Sequence, residues 1–280
     1  MLKANIVPND IHNISLETSH WFINKALPLW FDKGVDWNQG GFFESLNLED
    51  LKSTAQYKRL RVATRQIYVF SVACNMGETN AKSAVMHGLD FLLTKYRQPS
   101  GGFASRTSLR GESIEAPLDL YDSALCLFAL AHGFKLFGDT YLKDEANSLV
   151  LFINDQFCHK SGGYVEALPP SLPRRQNPHM HLLEALLEWR LISDEAIFRE
   201  LSDQMITLFF DKFYSINIGA LLEYFDDDLR PVLGERGQIT EPGHHFEWVW
   251  LLERYRLLSG QNLQDYSKLY EFASHHGLNQ

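Results

Sequence analysis

The residues of this chain best suited to chemistry lie in one segment, Glu241-Pro242-Gly243-His244-His245-Phe246-Glu247-Trp248. Pro242 suits the first turn of a helix. His244 and Glu247, three residues apart, then share a face near the helix's positive end. The helix dipole disfavours an imidazolium there and a facing carboxylate favours it, which leaves the His244 pKa near its ordinary ~6.5. An imidazole poised at that value takes and returns protons at neutral pH. A surface histidine pair beside a capping carboxylate fits the same residues, so the segment needs company before it reads as a site.

A second cluster is Arg174-Arg175-Gln176-Asn177-Pro178-His179-Met180-His181-Leu182-Leu183-Glu184. His179 and His181 are separated by about 200° on a helix and cannot face one ligand. Asn177, His181 and Glu184 can. The spacing matches no zinc or di-iron pattern, so no metal is expected. Arg174 and Arg175 suit a phosphate or form a solvated loop pair. Arg65 lies in Arg59-Leu60-Arg61-Val62-Ala63-Thr64-Arg65, the start of a strongly apolar helix, where an arginine either snorkels or clamps a ligand. Tyr121-Asp122 opens another such helix. No Gly-rich phosphate loop or nucleophile elbow accompanies them, which argues against nucleotide chemistry.

Lys and Arg total 26 against 35 Asp and Glu, a net charge of −9 without a run of like charges. Nucleic acid and anionic membrane surfaces are poor partners for such a chain, and a small molecule is the expected one. Cys74, Cys126 and Cys158 have no CxxC spacing and sit in apolar segments. They read as buried, reduced cysteines of a cytoplasmic protein. The N-terminal residues show no apolar stretch of the kind a leader needs, so no leader is expected, and no window is expected to reach the ~18 apolar residues of a membrane span.

The elements that must position these residues are helices. Apolar periodicity of 3.6 recurs over 11–32, 57–76, 80–96, 119–137, 141–157, 179–191, 194–212, 243–259 and 264–276. Gly40-Gly41-Phe42, Gly101-Gly102-Phe103 and Gly162-Gly163-Tyr164 punctuate them at a spacing of 61 residues, with a weaker copy at Ile218-Gly219-Ala220-Leu221 and a fifth loop expected near Gly277. A fixed period of two helices and one glycine-aromatic loop describes stacked helical hairpins. The expected fold is therefore all-α, an α/α toroid of the six-hairpin barrel type, forming a single domain over 1–280. At 280/61, about 4.6 hairpins, the ring is expected to be incomplete at the C-terminus by two to three helices. Its open flanks, around Trp21, Phe22, Leu27 and Trp30 and around Leu269, Tyr270 and Phe272, are then expected to be exposed or covered in a homodimer.

At these motifs the chain resembles the N-acylglucosamine 2-epimerase superfamily, which includes mannose-type aldose-ketose isomerases and cellobiose 2-epimerases. The resemblance rests on Arg65-Gln66, Tyr121-Asp122, Asn177-Pro178-His179-Met180-His181 with Glu184, and Pro242-Gly243-His244 with Glu247-Trp248, in family order. It implies a sugar in the central cleft of a helical barrel, with His244, Glu247 and Arg65 catalytic and Tyr121, Asn177, Met180 and His181 holding the substrate. It implies proton transfer through a cis-enediol(ate), without cofactor or metal: aldose-ketose isomerisation of mannose or mannose 6-phosphate, with 2-epimerisation or a non-catalytic sugar-binding remnant as the alternatives. Glu247 is expected to orient His244. A second acid-base histidine, on a C-terminal helix in the family, has no counterpart in this sequence.

Overall fold

The computed structural model describes residues 8–277, and its apolar periodicity resolves into ten α-helices among them. They are α1 (Pro8–Trp21), α2 (Leu27–Leu29), α3 (Leu60–Asn75), α4 (Ala81–Phe91), α5 (Leu120–Phe137), α6 (Thr140–Gln156), α7 (Asn177–Ile192), α8 (Ala196–Leu208), α9 (Pro242–Ser259) and α10 (Ser267–His276). Helices α3, α5, α7 and α9 pack side by side in chain order, and α4, α6, α8 and α10 each fold back on the helix before. The result is an inner row and an outer row, the all-α toroid architecture expected. The helix expected over 11–32 breaks up, because π-helical turns at Phe22–Ala26 and Trp30–Gly34 flank α2.

Helix α5 is apolar on every side, so it must be buried on every side. It is: Leu120 and every residue from Asp122 to Gly133 are buried. Against expectation, this helix is long and apolar enough by composition to cross a membrane, and 72% of it is buried inside the protein. Its place in the inner row explains its composition without a bilayer.

The glycine loops follow the outer elements. Each closes an antiparallel bridge, Val35 to Phe42, Arg97 to Phe103, Cys158 to Tyr164 and Tyr214 to Leu221, and each second partner plugs the core. Glycine is required there. Gly41 (φ 69°) and Gly163 (φ 62°) are left-handed, and a Cβ would stand 2.9 Å from the Phe91 ring or 2.8 Å from His179 Nε2. Antiparallel hairpins place all four loops at the end of the ring where the inner helices begin. Gly277 ends the described residues, so the loop expected beyond it lies outside them.

Short antiparallel strands stitch each approach to an inner helix onto the next loop: Tyr57–Arg59 with Arg106–Ser108, Leu118–Asp119 with Ala167–Leu168, and Arg174–Arg175 with Tyr224–Phe225. Arg59, Asp119 and Arg175 thus become equivalent lead residues. Glu241 joins them, because His245 Nδ1 donates to its carbonyl at 2.9 Å just as His179 Nδ1 donates to that of Arg175 at 3.0 Å. The other ring nitrogens accept from the loops, His179 Nε2 from the Tyr164 N–H (2.9 Å) and His245 Nε2 from the Leu221 N–H (3.0 Å). Both histidines are fully buried. One residue before the lead, a buried cation grips its loop: Lys58 Nζ bonds the Gly40 carbonyl, and Arg174 Nη2 the Gly162 carbonyl, both at 2.6 Å.

Burial pushes the His179 pKa down to about 3 and that of His132 to about 4. As pH falls through ~6.5 the unfolded chain takes up protons that the folded chain refuses, so stability declines towards acid. The thermal midpoint is expected to drop between pH 7 and pH 5, and His179→Gln should flatten that slope while lowering the midpoint at pH 7.

Three expectations need correction. Cys158 is exposed in the loop after α6 and Cys74, in the last turn of α3, is half-buried against the core, so only Cys126, within α5, is fully buried. The flank residues divide: Trp21 and Tyr270 are 59% and 58% exposed, whereas Leu27 and Leu269 are buried between helices and Phe22, Trp30 and Phe272 are half-buried. Arg174 cannot receive a phosphate, since its guanidinium is buried against the carbonyls of Gly162, Tyr164 and Asp227.

Candidate active site

Two residues after each loop plug the repeat places a polar residue: Glu44, Ser105, Glu166 and Glu223. In the first and third copies this glutamate takes the lead arginine. Glu44 accepts from the Arg59 backbone N–H and guanidinium, and Glu166 from the Arg175 N–H (2.6 Å) and Nε (2.7 Å). In the fourth copy the lead residue is Glu241, an acid, and Glu223 is left without an arginine. It takes a histidine instead: His244 Nδ1 stands 3.0 Å from Glu223 Oε2 and 3.1 Å from Oε1.

The dyad is fixed by a buried amide. Trp248 Nε1 donates to Gln176 Oε1 at 2.7 Å, which sets the amide's orientation, and Gln176 Nε2 donates to Glu223 Oε2 at 2.9 Å. An ionised carboxylate only accepts, so the His244 proton sits on Nδ1 and the free lone pair on Nε2. Burial alone would lower the His244 pKa, but the hydrogen bond and charge of Glu223, with Glu241 and Glu247 beyond, outweigh it and hold the pKa above its ordinary value. Glu241 Oε2 lies 3.6 Å from Nε2. Glu223, Glu241 and His244 bring ligand-type atoms within 4.8 Å of one another, yet on the Nδ1 edge the Gln176 amide nitrogen, 3.0 Å away, fills the position a cation would take.

Six residues past each lead residue, the inner helices present Arg65, Leu125, His181 and Glu247 at one level. All four line one cleft of about 380 Å³, floored by the rings of Tyr68 and Phe128. Arg65 donates to the Tyr121 hydroxyl. The Tyr121 ring meets His181 edge-on, centroids 4.7 Å apart, and His181 Nδ1 pairs with Glu184 Oε2 at 2.9 Å. Asn177 opens α7 with its Oδ1 buried and unpaired among the described residues. A larger cavity of about 510 Å³ lies on the outer row between the end of α6 and α8, where the only imidazole, His159, is already held by Arg174 and Asp227.

Of the residues singled out in the sequence, Arg65, Tyr121, His181 and Glu247 are thus brought together, with His244 one turn before Glu247 on α9. Two assignments change. Met180 is fully buried in the core and does not line the cleft, since it leaves α7 about 100° around the helix from His181. Glu247 makes no bond to His244 among the described residues; the carboxylate that orients the imidazole is Glu223. Both Glu223 and Gln176 escaped the sequence reading, although the two-residue offset from the loop plug that Glu44 and Glu166 share was a signal for the first.

An imidazole–carboxylate pair at the helix-start end of an α/α ring, above a cleft rimmed by Arg65, His181 and Glu247, defines an acid–base enzyme built on a helical barrel. Residues 41–280 match the N-acylglucosamine 2-epimerase (GlcNAc 2-epimerase) family, and the chain belongs to it. It is 35% identical over 275 residues to a mannose-6-phosphate isomerase of Rhizobium meliloti, covering 96% of this chain and 71% of that protein. Among solved structures, cellobiose 2-epimerase from Spirochaeta thermophila superposes with a TM-score of 0.86 at 24% identity, over 97% of this chain and 72% of the other. A D-mannose isomerase superposes with a TM-score of 0.78 at 20% identity, over 93% and 69%. The chain is accordingly an enzyme of the sugar isomerase and epimerase class, with a small-molecule sugar as substrate.

Proposed function

We propose that this chain interconverts an aldose and its ketose, with mannose or mannose 6-phosphate as the aldose, by proton transfer through a cis-enediolate. The His244–Glu223 pair carries the reading, because it supplies a basic imidazole nitrogen whose tautomer is fixed from the buried side. The substrate assignment is supported by the name of the mannose-6-phosphate isomerase at 35% identity. Residues 1–280 act as one domain in this reading, consistent with a core that runs unbroken from Leu27 to Leu269.

In the open-chain sugar the proton on C2 is acidified by the C1 carbonyl. His244 Nε2 takes it, and Glu223 stabilises the imidazolium that forms. Arg65, bonded to Tyr121, faces the oxygen charge that develops on the enediolate. Asn177 Oδ1 accepts from a sugar hydroxyl, which gives its buried lone pair a partner. Return of the proton to C1 yields the ketose. The family's name supports 2-epimerisation as the second reading, which requires reprotonation of C2 from the opposite face.

The pH dependence tests the dyad. His244 must be neutral to act as base, so kcat/KM is expected to rise with pH through a pKa above ~6.5. Glu223→Gln removes the charge that raises this pKa, and the acid limb of the profile should move to lower pH while kcat falls. An unmoved limb would show that Glu223 does not set the protonation of the catalytic base.

A further inference from the structure

Converting an aldose to a ketose moves two hydrogens, one from C2 to C1 and one from O2 to O1. An imidazole that holds the carbon-derived proton as an imidazolium cannot accept the second at the same time. We infer that His181, held by Glu184, carries the oxygen-bound proton while His244 carries the carbon-bound one; the inference rests on the isomerase reading above.

His181 repeats the features of the first dyad on a different inner helix. Its Nδ1 lies 2.9 Å from Glu184 Oε2, so Nδ1 carries the proton and donates it in a hydrogen bond to the carboxylate, and the lone pair is on Nε2. That nitrogen has no protein partner among the described residues, and both His181 and Glu184 line the cleft. The Tyr121 ring stands edge-on to the imidazole, and the Tyr121 hydroxyl is bound by Arg65, the cation facing the developing oxygen charge. His181 therefore works beside the sugar oxygens. His244, held by Glu223 near the start of α9, is then left to work on the carbons.

The step balances without another reactant. His244 Nε2 removes the C2 proton, and the C–H electrons form the C1–C2 double bond as the carbonyl electrons move onto O1. His181 Nε2 then accepts the O2 proton and passes it to O1, with Glu184 stabilising the transient imidazolium. The O2 electrons form the C2 carbonyl as C1 takes the proton from His244. Both imidazoles end neutral.

The test uses the full chain in D2O with mannose and with mannose 6-phosphate, following by NMR both C2 hydrogen exchange in the aldose and the appearance of ketose. In His181→Gln, ketose formation is expected to fall by roughly 100-fold or more. C2 exchange should fall by less, so that the ratio of exchange to ketose formation rises, because His244 still forms the enediolate and returns deuterium to C2. Glu184→Gln, which leaves the imidazole in place should His181→Gln not fold, should raise the exchange-to-interconversion ratio in the same direction. A residue that only binds the sugar would lose both readouts in proportion, and that result, or unchanged ketose formation in both variants, overturns the inference while leaving the isomerase reading standing. Neither readout in the wild-type chain with either sugar overturns that reading and this inference with it.

Discussion

Replacing His244 by glutamine is expected to lower kcat/KM for aldose–ketose interconversion by roughly 10²–10⁴-fold, the contribution of one positioned acid–base group. The effect belongs to the chemical step, because glutamine keeps a polar side chain beside Glu223 but offers no nitrogen that both takes and returns a proton. His244 is held at the edge of the ring by Glu223, with Glu241 nearby, and is not part of the apolar core. The thermal midpoint should therefore change little. A variant that folds like wild type and turns over within a few-fold of it would remove His244 from the mechanism.

The largest expected effect on stability is at Lys58. This ammonium is buried, 2.8 Å from Asp36 Oδ2, and also bonds the carbonyls of Gly40 and Leu109, so it ties the first glycine loop to the approach to α3. Asp36 in turn caps the loop by accepting from the Asn38 and Gln39 N–H groups. Lys58→Met fits the side-chain volume but leaves the Asp36 carboxylate buried without its cation, which costs about 3–5 kcal/mol. For a chain of this size the thermal midpoint falls on the order of 10 °C. Lys58→Met with Asp36→Asn should recover part of that loss, since the isolated charge is gone.

The helices and loops were legible in the sequence because they rest on local rules. The spacing of Gly41, Gly102 and Gly163 marks positions where a left-handed backbone or a tight approach excludes a side chain, and the apolar periodicity between them marks the packed faces. The fourth loop was the faintest, because a single Gly219 there does the work of the pair. Its faintness concealed Glu223, whose significance depends on the loop's register and on Glu241 replacing an arginine at the lead position. Gln176 was hidden for a different reason: its role comes from Trp248, 72 positions away, and no local pattern reports such a bond. His179 and His245 carry no assigned role in the sequence, because only tertiary packing makes them structural braces between loop and helix. The strands of two or three residues and the π-helical turns leave no periodic signal long enough to see.

The same comparison shows where chemistry departs from scaffold. In the first and third repeats the loop glutamate and lead arginine neutralise each other, and both belong to the frame. In the fourth, the acid at the lead position leaves Glu223 with an imidazole as its partner, which turns a structural contact into an acid–base pair. Glu241→Arg should restore the frame pattern by drawing Glu223 away from His244, and turnover should fall with it.

The most direct test of the account is deuterium placement in the product. Wild-type chain and His244→Gln are incubated with mannose and with mannose 6-phosphate in D2O, and the ketose is analysed by NMR for deuterium at C1. The account predicts ketose from the wild-type chain with solvent deuterium at C1, partial where His244 returns the substrate's own proton before it exchanges, and loss of both product and label in the variant. Ketose formed by the His244 variant at the wild-type rate, or no ketose from the wild-type chain with either sugar, would contradict it.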